Sequence, residues 1–167
     1  GGGGKGQSEL ARIVRAFLIE EQRIVRKVME AEKKIQREKK RSARKNKKHI
    51  VLPEGMNDRI LRAAAILLER YVVDLTILGN EPEIAKRLGQ LTDKADQIRL
   101  INPAESEWRE PFAKKYIELR TPKKNPTWDL SYDLMADVSY FGTMMVHEGY
   151  ADGMVSGAAH TTQHTIR

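Results

Sequence analysis

At 167 residues the chain is long enough to bury the core of one domain. It contains no cysteine, which excludes a disulfide framework, a thiolate nucleophile and a thiolate metal site, and no apolar run is long enough to cross a bilayer or form a signal-peptide core; it reads as soluble and cytoplasmic. The formal net charge of +7 invites a nucleic-acid reading, yet residues 1–48 hold 16 Lys and Arg against 6 acids while residues 49–167 hold 14 against 17, so the basic character belongs to the leading segment.

Residues 1–7 read as a glycine-rich scar or disordered tail outside the fold. From Ser8, an expected N-cap, apolar residues recur at Leu10, Val14, Phe17, Ile24, Val28, Ala31 and Ile35 by threes and fours, with Glu21 interrupting the seam. The spacing predicts one long amphipathic, basic helical leader over residues 8–48. Such a stripe packs on its own domain, on a second copy or on a partner. Its end, residues 37–48, begins with Arg37 and carries Lys39, Lys40, Arg41, Arg44, Lys45, Lys47 and Lys48 against the single acid Glu38. A run of this kind suits the phosphates of nucleic acid or an anionic membrane surface, while the plainer account is a solvated helix end whose cations complement the dipole. No aromatic residue is interleaved for base stacking, so nucleic acid is the less favoured partner.

Beyond residue 48, strands and helices alternate. Ile50-Val-Leu52 reads as a strand, Asn57 or Asp58 caps a helix carrying Ile60, Leu61, Ala64, Leu67 and Leu68, and Val72 to Leu78 forms a second strand ending at Gly79-Asn80. A short helix is expected from Pro82 to about Leu88, a strand over Gln97–Ile101, and a helix from about Glu105 to Arg120 that starts or bends at Pro111. Thr121 to Pro126 is a loop. One helix is then predicted from about Asp129 to Glu148, with Gly142 inside it permitting a close neighbour. The alternation predicts an α/β fold, a mainly parallel sheet with helices on both faces and right-handed crossovers. Ligands of such sheets bind beyond the carboxyl ends of the strands, which here are Pro53-Glu-Gly55, Gly79-Asn80 and Ser156-Gly157.

The closing stretch reads as a helix stopped by Gly149, a short buried strand Gly153-Met-Val-Ser156, and the loop Gly157-Ala-Ala-His-Thr-Thr162 leading toward another helix. Such a loop offers little side chain to block approach to its backbone, and free N–H groups at the start of the following helix, with its positive dipole end and the hydroxyls of Ser156, Thr161 and Thr162, would bind an anion. An ordinary connection capped by Thr161 or Thr162 fits the same residues.

Four ordered matches carry a resemblance: His49-Ile-Val-Leu-Pro-Glu-Gly-Met-Asn-Asp-Arg through Ala65, Asp74-Leu-Thr-Ile-Leu-Gly-Asn80, Tyr116-Ile-Glu-Leu-Arg120, and Val138-Ser-Tyr-Phe-Gly-Thr-Met-Met-Val-His147 with Ala151-Asp-Gly-Met-Val-Ser-Gly-Ala-Ala-His-Thr-Thr162. In these the chain resembles the phosphate acetyltransferases of the phosphate acetyl/butyryl transferase family. The resemblance covers residues 47–167, the N-terminal portion of the family's acyltransferase domain, and leaves the leader outside it. It implies a fold like that of the isocitrate dehydrogenases, here incomplete, and transfer of an acetyl group between acetyl phosphate and coenzyme A. It also implies coenzyme A as a substrate with no tightly bound cofactor, no metal, and a homo-oligomer.

By the same resemblance Arg120 and Arg167 are the arginines that contact coenzyme A or phosphate, beside Ser156, Gly157, Thr161 and Thr162 as substrate-binding positions. The family's proton acceptor and its serine–arginine pair are expected beyond residue 167, so the chain alone is expected to be inactive. His160 and His164 have the ordinary pKa of a base but equally suit hydrogen-bonded spectators. After Glu-Leu-Arg the family continues with Lys-Gly, whereas Thr121-Pro-Lys-Lys-Asn-Pro-Thr127 inserts two prolines and no glycine, a rebuilt loop beside Arg120. The alternatives are a phosphate butyryltransferase, a dehydrogenase of similar fold, which would need acidic metal ligands and an adenine-binding loop that the sequence does not place, and a non-catalytic fusion whose basic helix binds a partner.

Overall fold

The computed structural model describes residues 4–160, with side chains from residue 8. The chain divides into two compact units, Gly1–Lys45 and Asn46–Arg167.

The first unit is a single helix, α1 (Gly4–Lys45), 42 residues long. It starts upstream of Ser8, which lies inside the helix and is not its N-cap: Lys5 and Gln7 are good helix formers, and one capping side chain does not oblige a helix to begin there. The stripe is exposed, with Leu10, Phe17, Ile24, Val28 and Ile35 each at 50% or more. α1 also stops short of residue 48. Lys47 belongs to the second unit, where its ammonium lies 3.7 Å from Asp74 and 5.3 Å from the centre of the Tyr71 ring, and Lys48 opens the first strand. The basic run is thus divided between a helix end and a strand entry.

The second unit runs β1 (Lys48–Leu52), α2 (Asp58–Arg70), β2 (Val73–Leu78), α3 (Glu81–Gly89), a 3-10 turn at Ala95–Gln97, β3 (Arg99–Ile101), α4 (Arg109–Arg120), α5 (Trp128–Leu134), α6 (Val138–His147) and β4 (Gly153–Met154). The four strands form one parallel sheet in the order β3-β2-β1-β4. Val51 lies opposite Thr76 and Met154, and Ile77 opposite Leu100.

Strand alternation splits the core in two. Leu52, Leu75 and Ile77 face Leu61, Ala64 and Leu68 of α2 with Ile84 and Leu88 of α3. Val51, Leu78 and Ile101 face Phe112 of α4, Met135, and Phe141, Met144 and Met145 of α6. Helices therefore cover both faces, as a parallel sheet requires, and each fully buried large side chain contributes roughly 1.5–3 kcal/mol. Phe112 and Phe141 meet with ring centres 5.0 Å apart, and Trp108 stacks on Tyr150 at 4.3 Å.

The caps explain several boundaries. Asn57 caps α2 by accepting from the N–H of Arg59, and Asn80 caps α3 by accepting from that of Glu83, with Pro82 in the first turn. Pro111 falls in the first turn of α4, where its missing N–H costs nothing, so the helix begins at Arg109 and not near Glu105. The single helix expected over 129–148 is two. Asp137 takes extended backbone and its carboxylate accepts from the N–H groups of Ser139 and Tyr140, which starts α6 afresh after α5 has ended at Leu134. The last strand is shorter and wetter than expected: β4 holds only Gly153 and Met154, both half-buried at a sheet edge.

Gly142 fits α6 against the sheet. A Cβ there would stand 2.7 Å from Met154 Sδ and 3.3 Å from Val51 Cγ1, so the helix approaches the strands as closely as its backbone permits.

Candidate functional site

β1 ends in the turn Pro53-Glu54-Gly55, and Gly55 lets that turn lie against the end of β2. Its N–H donates to the Leu78 carbonyl at 3.2 Å, and a Cβ on it would meet that oxygen at 2.5 Å and Ile77 Cγ2 at 2.6 Å. The two strand ends, Val138 at the start of α6 and the Ala159–His160 loop enclose an open cleft of about 320 Å³. It lies beyond the carboxyl ends of β1 and β2, where a parallel sheet places its ligands.

The loop after β4 is built around Glu54. Its side chain is 1% exposed, and each carboxylate oxygen accepts two backbone N–H groups: Gly157 at 3.2 Å and Ala158 at 2.8 Å on Oε2, Ala159 at 2.8 Å and His160 at 2.7 Å on Oε1. Arg59 of α2 adds a bond from its guanidinium to the Ala158 carbonyl at 2.7 Å. Burial pushes the Glu54 carboxyl upward. The N–H donors of His160, Ala159 and Ala158, with the nearby imidazole of His160, outweigh it and hold the group below the usual carboxylate range.

The start of the following helix, where free amides are expected, lies outside the described residues. The N–H groups of Gly157 through His160 do converge on an anion, but that anion is a side chain of the protein itself. The sequence places Pro53-Glu-Gly55 at a strand end without singling out Glu54; the signal was an acid two residues after a half-buried strand, facing a loop of small residues whose backbone N–H groups are the donors at hand.

The other candidates fall as follows. Ser156 Oγ is buried and has no hydrogen-bond partner among the described residues. His160 brings Nδ1 to 3.2 Å from Glu54 Oε1, which gives its ring a structural neighbour. Arg120 closes α4 with its guanidinium carbon 5.5 Å from the centre of the Tyr116 ring; Tyr116 meets Tyr140 edge-on at 6.0 Å, and Tyr140 sits in the first turn of α6 beside the cleft-lining Val138. Thr161, Thr162, His164 and Arg167 lie outside the described residues. Among the described residues no group of His, Cys, Asp and Glu is placed to hold a metal ion, and no helix is long and apolar enough to cross a membrane.

Residues 32–167 match the family described as phosphate acetyl/butaryl transferase, a match that reaches back into α1, further than residue 47. The chain is 50% identical over 125 residues to the phosphate acetyltransferase of Corynebacterium glutamicum, covering 75% of this chain and 38% of that protein. To that of a Synechocystis species it is 49% identical over 122 residues, covering 72% and 17%. Among solved structures, a phosphotransacetylase from Streptococcus pyogenes superposes with a TM-score of 0.67 at 37% identity, and one from Staphylococcus aureus with 0.63 at 40%, each covering 72% of this chain and 36% of the other. The chain thus spans less than two-fifths of the length of these relatives.

Proposed function

The chain belongs to the phosphate acetyl/butaryl transferase family, and from that premise we propose that it supplies one wall of a site at which an acetyl group passes between acetyl phosphate and coenzyme A. The observation that carries this is where the cleft falls: the β1 turn, the β2 end, the start of α6 and the loop after β4 all lie inside the stretch that matches enzymes named for this reaction. Acetyl is preferred to butyryl because the relatives matched at about half identity are named phosphate acetyltransferases.

In this reading the sulfur of coenzyme A gives up its proton and attacks the carbonyl carbon of acetyl phosphate. The carbon–sulfur bond forms, the carbon–oxygen bond to phosphate breaks, and phosphate leaves with the electron pair. No protein nucleophile is required, so the work is positioning and charge. Ser156, Thr161 and Thr162 meet the phosphate oxygens, Gly157 keeps the approach clear of side chain, and Arg120 and Arg167 hold the larger anion, for which a guanidinium offers paired donors. The group that takes the thiol proton lies in the part of the relatives that these residues do not match, and α1 joins the protein to a second copy through its apolar stripe.

A chimera tests the proposal. Residues 49–160 of this chain replace the matching stretch of the Corynebacterium glutamicum enzyme, and acetyl-coenzyme A formation from acetyl phosphate is followed. We expect turnover, reduced about 10- to 100-fold by Arg120→Ala, and background rates from the 167-residue chain alone. A folded chimera without activity, or full activity after Arg120→Ala, sinks the assignment.

A further inference from the structure

Four consecutive N–H groups on one fully buried carboxylate is more than a turn needs. Gly157, Ala158 and Ala159 have no polar side chain with which to fix the loop's path, and Gly157 to His160 would otherwise leave their backbone donors to water or to whatever anion enters. Glu54 supplies that anion from 103 to 106 residues earlier in the chain, on the rigid end of β1. Both of its oxygens are used, two donors to each, and its side chain is shut off from solvent.

We propose that Glu54 is the positioning residue of the site: its carboxylate is the resident anion of the Gly157–His160 amides, folds that loop over the cleft, and closes those amides to the substrate's phosphate. Phosphate contacts then come from groups the carboxylate leaves open, of which the buried Ser156 Oγ is the one the structure shows next to the loop. Glu54 touches no reacting atom and acts through the backbone it holds. The loop-folding role stands whatever group is transferred; the placing of phosphate rests on the acetyl-transfer reading above.

The experiment uses the 167-residue chain, and amide exchange and NMR shifts of residues 156–160 are followed in wild type, Glu54→Ala and Glu54→Gln. Removing the carboxylate should speed exchange of the four amides by about tenfold or more while the β1 and β2 amides keep their protection. Added acetate or formate should restore protection in Glu54→Ala, since either replaces the missing carboxylate, and sodium chloride of equal ionic strength should not. Inorganic phosphate should shift the four amides in Glu54→Ala and leave them in place in wild type. A loop unchanged by Glu54→Ala overturns the proposal, as does a loop lost and not recovered with small carboxylates, which would assign Glu54 to packing alone. Phosphate shifts on the wild-type Gly157–His160 amides overturn it as well. If Glu54→Ala does not fold, the isosteric Glu54→Gln decides: a carboxamide has one acceptor oxygen in place of two, so two of the four amides must lose protection, and four protected amides refute the role. Failure of the chimera with these shifts intact would remove the acetyl-transfer reading and leave Glu54 where it is.

Discussion

Glu54 has been taken out of water and given donors in its place, and its charge state is therefore tied to the fold. A carboxyl held below its usual value of about 4.5 adds stability that is fully present above that value and is lost as pH falls through the lower value of the folded state. The groups facing it are the four backbone donors and the His160 ring, with Arg59 one step away on the Ala158 carbonyl. Protection of the Gly157–His160 amides should accordingly be flat from neutral pH to about 5 and fall below the usual carboxylate range, steeply in wild type and hardly at all in Glu54→Gln, which starts low. Glu54→Gln should also lower global stability by about 1–3 kcal/mol, the cost of leaving buried donors unpaired, as read from a denaturant midpoint. Equal acid sensitivity in both proteins would move the titrating group elsewhere.

Elements were legible in the sequence where periodicity and caps agreed. β1, α2, β2 and α3 follow from Ile50 to Leu52, the Asn57 cap, Val72 to Leu78 and the Pro82 start, because each signal is local. The break between α5 and α6 was not, since Asp137 interrupts an apolar stretch without a glycine or proline and only its captured N–H groups reveal it as a cap. Replacing Asp137 by Ala should cost about 1 kcal/mol. Gly142 was readable as a point of close approach, and the sheet is what approaches. Gly142→Ala should destabilise by about 1–3 kcal/mol, because Val51 is core and Met154 alone can move aside; a thermal midpoint within a degree of wild type would mean that α6 shifts freely on the strands. The cleft itself was legible in outline, at the strand ends. Its closing contact was not, because Glu54 and its four donors are more than 100 residues apart and no periodic pattern links them.

At the scale of the molecule two units answer to different physics. The second buries two cores about a sheet, whereas α1 exposes the apolar side chains of its stripe from Leu10 to Ile35, the kind of surface that marks an interaction site. Phe17→Asp and Ile24→Asp place a charge in that stripe and should abolish association with a second copy, read as a fall in molar mass by sedimentation with the fold of the second unit unchanged. Constant mass in both variants would make α1 a solvated arm.

The parallel sheet also dictates an order of events. β1, α2 and β2 are neighbours in sequence and close cheaply, while β4 reaches β1, and the loop reaches Glu54, only after more than 100 residues have been made and gathered. Long loops close late, and contacts of high sequence separation slow folding. The β1–α2–β2 unit should therefore be protected first during refolding, and the cleft should acquire its roof in the final phase: the part of the chain proposed to meet ligand is the part whose formation waits on everything else.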